Sequence, residues 1–196
     1  MQQPLRTLNI NLYAGPGVGK STAAASIFSM LKRWGVTAEL IPEYAKELHY
    51  EGKLAGARQA SILREQHRRH KRVQGHVQVA ISDSPVPISL AYCTPRERAR
   101  FEPVVRRWLD GWHTVDVLLH RDLRKGYEQA GRYQRVDEAV AFHNDVLAPF
   151  VAQYVGPKLL TLHVDDCVHV LTRYVFELVR QRAWRPAEQH GLVATS

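Results

Sequence analysis

The 196-residue sequence has few cysteines and no long apolar run. Cys93 and Cys167 are too few for a disulfide framework, and their spacing offers no metal site, so we expect a reducing, cytoplasmic environment. No stretch approaches the ~20 apolar residues that span a bilayer, and no signal-like segment opens the chain, so we expect no membrane association. An Asn-Lys-x-Asp element is also absent, which argues against a GTPase.

Size and charge narrow the class of protein. With 45% hydrophobic residues, we expect one compact domain over residues 1–184 and a mobile tail over residues 185–196. The net charge is +8, from 27 Lys and Arg against 19 Asp and Glu. Such an excess is typical of proteins that meet a polyanion, and also of basic enzymes that handle phosphate, so charge alone leaves both open.

Residues 14–22, AGPGVGKST, fit the phosphate-binding loop pattern, with Ala14 in place of the first glycine. Glycines let successive backbone N–H groups turn onto phosphate oxygens. The pattern places Lys20 on the β- and γ-phosphates and Ser21 on Mg²⁺. A strand-like segment precedes the loop and a helix-like segment follows it, which makes an anion site. We therefore expect the chain to bind ATP with Mg²⁺. The predicted nucleotide contacts are Gly15, Gly17, Val18, Gly19, Lys20, Ser21 and Thr22, together with Arg121 and Arg124 of a later segment.

Short apolar strands alternate with helices along the whole chain. After a strand at Leu8–Tyr13 and a helix at 21–34, strands are predicted at 37–42, 77–82, 114–120 and 158–164. Helices are predicted at 55–74, 95–112, 136–154 and 167–182. This order predicts an α/β fold, a P-loop kinase-like parallel five-stranded sheet with helices on both faces.

Polar residues follow several of these strands. Because ligands bind outside the carboxyl ends of parallel strands, we expect Glu43, Tyr44, Asp83 and Arg121 to lie beside the phosphate loop. Two carboxylates and an arginine at that edge are the composition expected of phosphoryl transfer.

Asp83 is the first candidate for a catalytic carboxylate, and Glu43 is the second. Asp83 would orient and deprotonate an acceptor hydroxyl, or hold Mg²⁺ through water, and the sequence leaves both roles open. The alternative is that Asp83 caps the turn at Asp-Ser-Pro. For Glu43 the alternative is a solvated charge at a strand end.

Residues 121–135 lack apolar periodicity and are rich in arginine, which predicts a loop or lid. An arginine flap over the triphosphate would stabilise charge that develops in the transition state. Arg132, beside Gly131, is the catalytic candidate, and Arg121 and Arg124 are the nucleotide contacts. The alternative is a solvated basic loop.

Arg64, Arg68 and Arg72 recur every four residues on the predicted helix 55–74 and share one face. This row would track a phosphate backbone or form a solvated face, and both stay open. A second basic group at residues 96–107 favours a polyanion slightly. The candidate substrate contacts are Arg64, Arg68 and Arg72, together with Arg135 and Tyr44, which would stack on an acceptor base.

Several short motifs together resemble the small P-loop kinases and AAA-labelled ATPases of tailed bacteriophages. They are GPGVGKST at residues 15–22, EYAK at 43–46, Glu65-Gln66 with Arg68, SDSP at 82–85, and Gly131-Arg132 with Gln134. The likeness covers residues 8–166, and the wider group is similar to nicotinamide-riboside-type and deoxynucleoside kinases. One phage branch phosphorylates 5-hydroxymethyluracil within DNA. The resemblance implies Asp83 at the acceptor hydroxyl, Lys20 and Ser21 on nucleotide and metal, and the cytoplasm of a host cell as the location.

The leading hypothesis is an ATP-dependent kinase that phosphorylates a hydroxyl on DNA, namely the hydroxymethyl group of a modified pyrimidine. Such a kinase must take the base out of the stack and therefore needs a basic, partly aromatic rim. The alternatives are a kinase of free nucleosides or nucleotides and an accessory ATPase that phosphorylates nothing. The chain is too short for the helical second domain of motor ATPases. No pattern identifies a protein partner.

Overall fold

The computed structural model describes residues 6–120 and 136–181. The strands in this part of the chain are Leu8–Tyr13, Ala38–Ile41, Val79–Ser82, His113–His120 and Leu160–His163, named β1 to β5. The predicted lid at 121–135, with Arg121, Arg124, Arg132 and Arg135, lies outside the described residues, as does the predicted tail at 185–196.

Eight α-helices connect and cover the strands in the described ranges. They are Lys20–Arg33, Tyr44–Tyr50, Gln59–Lys71, Ile88–Ala91, Pro95–Trp108, Val136–Ala141, Ala148–Val155 and Val164–Arg180, named α1 to α8. A π-helical segment, Phe142–Leu147, joins α6 to α7, and 3₁₀ turns lie at Leu54–Gly56 and Gly156–Lys158. Among the helices described, none combines the length and the apolar character that a membrane span requires.

The five strands form one parallel sheet in the order β2-β3-β1-β4-β5. In the central register, Asn11 of β1 lies opposite Ser82 of β3 and Asp116 of β4. Parallel strands end at the same edge, so the residues that follow β1, β2 and β3 are brought side by side. The predicted α/β fold with a parallel five-stranded sheet is confirmed.

One face of the sheet packs on α1 and α8. Alternate residues of β1 point to this face, and Ile10 and Leu12 are fully buried there against Ile27 and Leu171. Each such side chain contributes about 1.5–3 kcal/mol when it is buried. Helix α1 ends where Gly35 adopts a φ of 80°, a left-handed conformation that favours glycine. This packing directs the N-terminus of α1 at the loop after β1.

The other face of the sheet carries polar side chains as well as apolar ones, beneath helices α3, α5 and α7. Asn11 Nδ2 donates to Asp116 Oδ1 at 2.8 Å, and the Tyr13 hydroxyl donates to the same oxygen at 3.0 Å. Burial, aided by Asp116, raises the pKa of Tyr13 well above its usual value. The polar groups are thus paired inside the layer, as buried polar groups must be.

Several predicted boundaries differ from the structure. The strand predicted at 158–164 is only Leu160–His163, because His163 caps α8: its Nδ1 accepts a hydrogen bond from the Asp165 N–H at 3.4 Å. The helix predicted at 95–112 starts at a capping box formed by Thr94 and Glu97 and ends at Trp108. The helix predicted at 136–154 contains the π-helical segment. Pro149, in the first turn of α7, has no N–H to donate to the carbonyl of Asp145 in that segment.

The helix predicted at 55–74 is shorter in the structure, and a separate helix was missed. Helix α3 covers only Gln59–Lys71, and α2 occupies Tyr44–Tyr50. Tyr44 was predicted at the end of a strand. In the structure β2 ends at Ile41, and Tyr44 is the first residue of α2.

His70 is a buried histidine on α3, 2% exposed, with its Nε2 3.0 Å from the Ser82 hydroxyl oxygen. Burial lowers its pKa from 6.5 to about 4; a hydrogen bond with the Ser84 backbone opposes this shift, and the nearby His67 adds to it. The folded protein therefore holds His70 neutral at a pH where the unfolded chain is already protonated.

We predict that the free energy of unfolding falls as the pH drops from 6.5 towards 4. In this pH range the unfolded state binds a proton at His70 and the folded state does not, so the free energy of unfolding decreases by up to ~1.4 kcal/mol per pH unit. Denaturant unfolding at pH 7, 6 and 5 measures this slope, and His70→Gln is the matched variant, since glutamine still reaches Ser82. A variant with the same slope as the parent protein would contradict the assignment to His70.

Candidate active site

The segment between β1 and α1 forms a turn whose conformation requires glycine at two positions. Gly17 has a φ of 79° and Gly19 a φ of 104°, both in the left-handed region. Gly19 directly precedes α1, so the unpaired N–H groups of that helix terminus face the turn. Lys20 Nζ donates to the carbonyls of Ala14 at 2.8 Å and Gly15 at 3.0 Å, which holds the ammonium across the turn. This arrangement is an anion-binding one.

Two other residues of the predicted loop have distinct surroundings. The side chain of Val18 is buried in the core, 4% exposed, so only its backbone is available to a ligand. Thr22 is exposed on the first turn of α1. The loop is therefore anchored in its middle by an apolar side chain.

Gly15 is required for a different reason, the close approach of a neighbouring segment. A Cβ on Gly15 would lie 2.8 Å from the Cβ of His143 and 3.1 Å from the carbonyl oxygen of Ala139. The N–H of Gly15 donates to His143 Nδ1 at 3.0 Å. His143 was not predicted from the sequence, because no motif surrounds it and 128 positions separate it from Gly15.

Ser21 and Asp83 are joined directly. The Ser21 hydroxyl donates to Asp83 Oδ2 at 2.5 Å. Asp83 is only 6% exposed, and its Oδ1 is buried without a hydrogen-bond partner among the described residues. A buried carboxylate oxygen without a partner is costly, which points to a cation or a hydroxyl as the natural partner of this atom.

The capping alternative for Asp83 does not hold in the structure. The turn that follows β3 is held by Ser82, whose hydroxyl oxygen accepts a hydrogen bond from the Ser84 N–H at 3.2 Å. Asp83 Oδ2 bonds to Ser21 rather than to the backbone of that turn. The carboxylate therefore lines the cleft and bonds to Ser21 rather than capping the turn.

The donor atoms beside the loop suit Mg²⁺. This ion takes oxygen ligands and usually binds through one or two carboxylates together with substrate phosphates and water. The Ser21 hydroxyl and the orphaned oxygen of Asp83 fit that description. Within the described ranges, no cluster of three or more His, Cys, Asp or Glu forms a metal site. The residues present thus fit a metal that arrives with a phosphate ligand.

Glu43 lies between β2 and α2, at the same edge of the sheet. Burial raises its pKa above 4.5; Lys20 opposes this rise, Asp83 adds to it, and Lys46 opposes it. Glu43 and Asp83 line the same cleft as Ser21, and Lys20 directly precedes Ser21. A carboxylate with a raised pKa is better suited to accept a proton near neutral pH.

An open cleft of about 200 Å³ connects these groups. It lies between the start of α1, the end of β2, helix α2 and the end of β3. Its lining residues are Ser21, Leu40, Pro42, Glu43, Lys46, Glu47, Tyr50 and Asp83. Ser21, Glu43 and Asp83 were predicted from the sequence, and Lys46 entered only as part of the EYAK motif. Glu47 was missed, because helix α2 was not predicted.

Helix α2 is fixed on α3 by an arginine. Arg69 pairs with both carboxylate oxygens of Glu47, and its Nε donates to Glu65 at 3.1 Å. The same guanidinium lies over the ring of Tyr44, 4.8 Å from its centroid. One face of Tyr44 is therefore already covered, and its role as a platform for an acceptor base stays a prediction.

Of the predicted row, Arg64 and Arg68 are exposed on α3, and Arg72, the residue that directly follows the helix, is exposed as well. Arg68 is engaged by Glu65, with Nε and Nη2 at 2.7 and 2.8 Å from its two oxygens. The cleft lies where β1 ends, whereas the chain just after α3 contacts the residue before β1 begins: the Gly75 N–H donates to Thr7 Oγ1 at 2.9 Å. The row of arginines therefore runs along α3 away from the cleft.

The second basic group, on α5, is partly used in packing. Arg98 Nε donates to the Leu90 carbonyl at 3.0 Å, and its guanidinium lies over Phe150. Arg106 pairs with Glu102 at 2.7 Å. These two cations stabilise the helical layer and are less available to a polyanion than the sequence suggested.

The comparisons with known proteins concern the fold. No protein-family model matches the chain, and no curated protein matches it. Solved structures do match, and among them are two of deoxyadenosine kinase from M. mycoides. The one with the products dCMP and a flexible dCDP covers 90% of this chain and 99% of its own, with a TM-score of 0.51 and 14% identity. The one with bound dATP covers 89% and 99%, with a TM-score of 0.52 and 14% identity.

The chain has the fold of P-loop nucleoside kinases. This confirms the predicted P-loop kinase-like architecture. At 14% identity the likeness is one of fold, so the bacteriophage branch and the roles of the individual site residues stay predictions.

We predict opposite effects of two site substitutions on the pKa of Glu43. Lys20→Met removes a positive charge that favours the ionised carboxylate, so the pKa of Glu43 rises further. Asp83→Asn removes a negative charge and lowers it. Carbon-detected NMR titration of the glutamate carboxyls measures both shifts. Shifts in the same direction would show that the three groups do not share a site.

Proposed function

We propose that the chain is an ATP-dependent kinase that transfers the γ-phosphate of ATP to an alcohol. The observation that carries this proposal is the meeting of Lys20, Ser21, Glu43 and Asp83 at one sheet edge, around one cleft. A glycine turn, a lysine and two carboxylates are the groups that phosphoryl transfer requires. The shared fold with deoxyadenosine kinases supports the same class of reaction.

The nucleotide side of the site comprises the turn and the start of α1. The N–H groups around Gly17 and Gly19 would bind phosphate oxygens, and Lys20 would exchange its carbonyl partners for the β- and γ-phosphates. Ser21 and Asp83 would hold Mg²⁺. The metal would supply neutralisation of the charge on the transferred phosphoryl group. Arg121, Arg124 and Arg132 remain the predicted flap cations.

The two carboxylates divide the remaining chemistry. Asp83 is bonded to Ser21, which favours the metal-ligand role among the two that the sequence left open. Glu43 lines the cleft beside Asp83, so it would orient the acceptor hydroxyl and take its proton. The raised pKa of Glu43 supports this assignment, because its conjugate base is stronger than that of an ordinary glutamate.

The proposed acceptor is the hydroxymethyl group of 5-hydroxymethyluracil in DNA. A flipped base would enter the cleft, while the strand would continue along α3, where Arg64 and Arg72 are exposed. The two arginines are about 12 Å apart along the helix at its usual rise per residue. A free nucleoside is too small to contact both cations, whereas a polyanion gains affinity from each of them.

A free nucleoside is the second candidate acceptor. The enzymes that share the fold are named deoxyadenosine kinases, and the cleft is small and lies close to the phosphate loop. Under this alternative the arginines of α3 form a solvated face.

We predict that Glu43→Gln lowers kcat by 10²- to 10⁴-fold and leaves the affinity for MgATP within about twofold, since general base catalysis contributes about that factor. Asp83→Asn instead raises the Mg²⁺ concentration needed for half-maximal activity, because one metal ligand loses its charge. Steady-state kinetics at varied Mg²⁺ measure both. The reverse pattern would exchange the two roles.

We predict that labelled ATP transfers its γ-phosphate to 5-hydroxymethyluracil in DNA and that Arg64→Ala with Arg72→Ala raises KM for that DNA several-fold. The slope of log KM against log salt concentration should decrease by up to about 2 in this variant, since each phosphate contact contributes ~0.9 to the slope. Lys32→Ala with Arg33→Ala, which removes two exposed cations from α1, is the matched control.

Three outcomes of this assay separate the hypotheses. If label appears only in free nucleosides, DNA is not the acceptor but the kinase activity is retained. ATP hydrolysis without transfer to any acceptor removes the kinase and leaves an accessory ATPase. An unchanged KM and salt slope in the α3 variant removes the row of arginines from the substrate site.

A further inference from the structure

We propose that His143 is a positioning residue that holds the first turn of the phosphate loop in its ATP-binding conformation. The inference rests on the proposed function, because it assumes that the loop binds ATP. His143 lies in the π-helical segment between α6 and α7 and touches the loop at Gly15. Nothing in the loop pattern itself assigns a role to this histidine.

The hydrogen bond determines the state of the imidazole. A backbone N–H can only donate, so Nδ1 of His143 must accept from Gly15, and the ring is then neutral with its proton on Nε2. His143 is 6% exposed and Gly15 is buried, so water does not compete freely for this bond. A bond in such surroundings is stronger than one at the surface.

The absence of a side chain at Gly15 is part of the same contact. Its hypothetical Cβ would lie 2.8 Å from the Cβ of His143, a separation at which atoms must move. The carbonyl of Ala139, one turn earlier, would lie 3.1 Å away. Glycine at this position therefore serves to let α6 and the π-helical segment approach the loop. Gly17 and Gly19, by contrast, are required by their own left-handed φ angles.

The local geometry of the helix supports a dedicated contact. π-helical segments are rare and occur frequently at functional sites. Here the segment carries His143, whose Nδ1 accepts the hydrogen bond from the loop backbone. Together with the buried side chain of Val18, the bond fixes the loop at two points, one before and one after Pro16.

The expected consequence is preorganisation. A loop held in place before the nucleotide binds loses less conformational freedom on binding. Without the imidazole the loop must be ordered by the nucleotide itself, which weakens binding. One buried hydrogen bond corresponds to about a tenfold change in affinity.

The experiment compares two variants at one position. His143→Ala keeps the Cβ but removes the acceptor, and His143→Asn restores an acceptor close to the position of Nδ1. Calorimetric titration with MgATP measures Kd, and steady-state kinetics separate KM for ATP from kcat and from KM for the acceptor. Thr172→Ala is the control, since it removes a buried hydrogen bond on α8, from Thr172 Oγ1 to the Val168 carbonyl, away from the loop.

We expect His143→Ala to raise Kd and KM for MgATP about tenfold with the acceptor KM unchanged, and His143→Asn to stay within about threefold of the parent protein. Thr172→Ala should lower the Tm without changing Kd. An unchanged Kd in His143→Ala, or an equal loss in the asparagine variant, would overturn the inference while the kinase proposal stands. A parent protein with no affinity for MgATP would remove both.

Discussion

The hydrogen bond from Ser21 to Asp83 joins residues 62 positions apart and ties the start of α1 to the end of β3. It is possible because β1 and β3 are parallel neighbours in register, with Asn11 opposite Ser82, so their next residues emerge at the same edge. The bond uses one oxygen of the carboxylate and leaves the other buried for a ligand. In the proposed function, the nucleotide side and the acceptor side of the cleft would meet at this contact.

Two buried polar side chains of α3 contact the residues next to Glu43 and Asp83 and so help to hold both carboxylates in place. Gln66 accepts from the Tyr44 N–H at 3.1 Å and donates to the Pro42 carbonyl at 3.4 Å, so it contacts the chain on either side of Glu43. One turn later, His70 contacts Ser82, the residue before Asp83. Buried polar groups that are fully paired specify a unique arrangement, because any other arrangement leaves them unsatisfied.

Much of the site was predictable because its signals are local. The glycine turn, Lys20 and Ser21 form a contiguous pattern, and Glu43 and Asp83 each follow an apolar strand. Helix α2 was missed because seven residues between a strand and a 3₁₀ turn give too short a periodic signal. The partner of Gly15 was missed because a histidine in a helix has no local mark of a contact made across the fold.

The sequence by itself determined the class of fold and the identity of the groups at the strand ends, since alternation of strands and helices and a glycine-rich turn are properties of short segments. Only the tertiary structure decided which groups touch: that Asp83 bonds to Ser21, that Glu43 lies where burial and its neighbours raise its pKa, and that α3 carries its exposed arginines away from the cleft. The physical reason is that hydrogen bonds and electrostatic shifts depend on distance in space, which strand order and helix packing set and which separation along the chain does not.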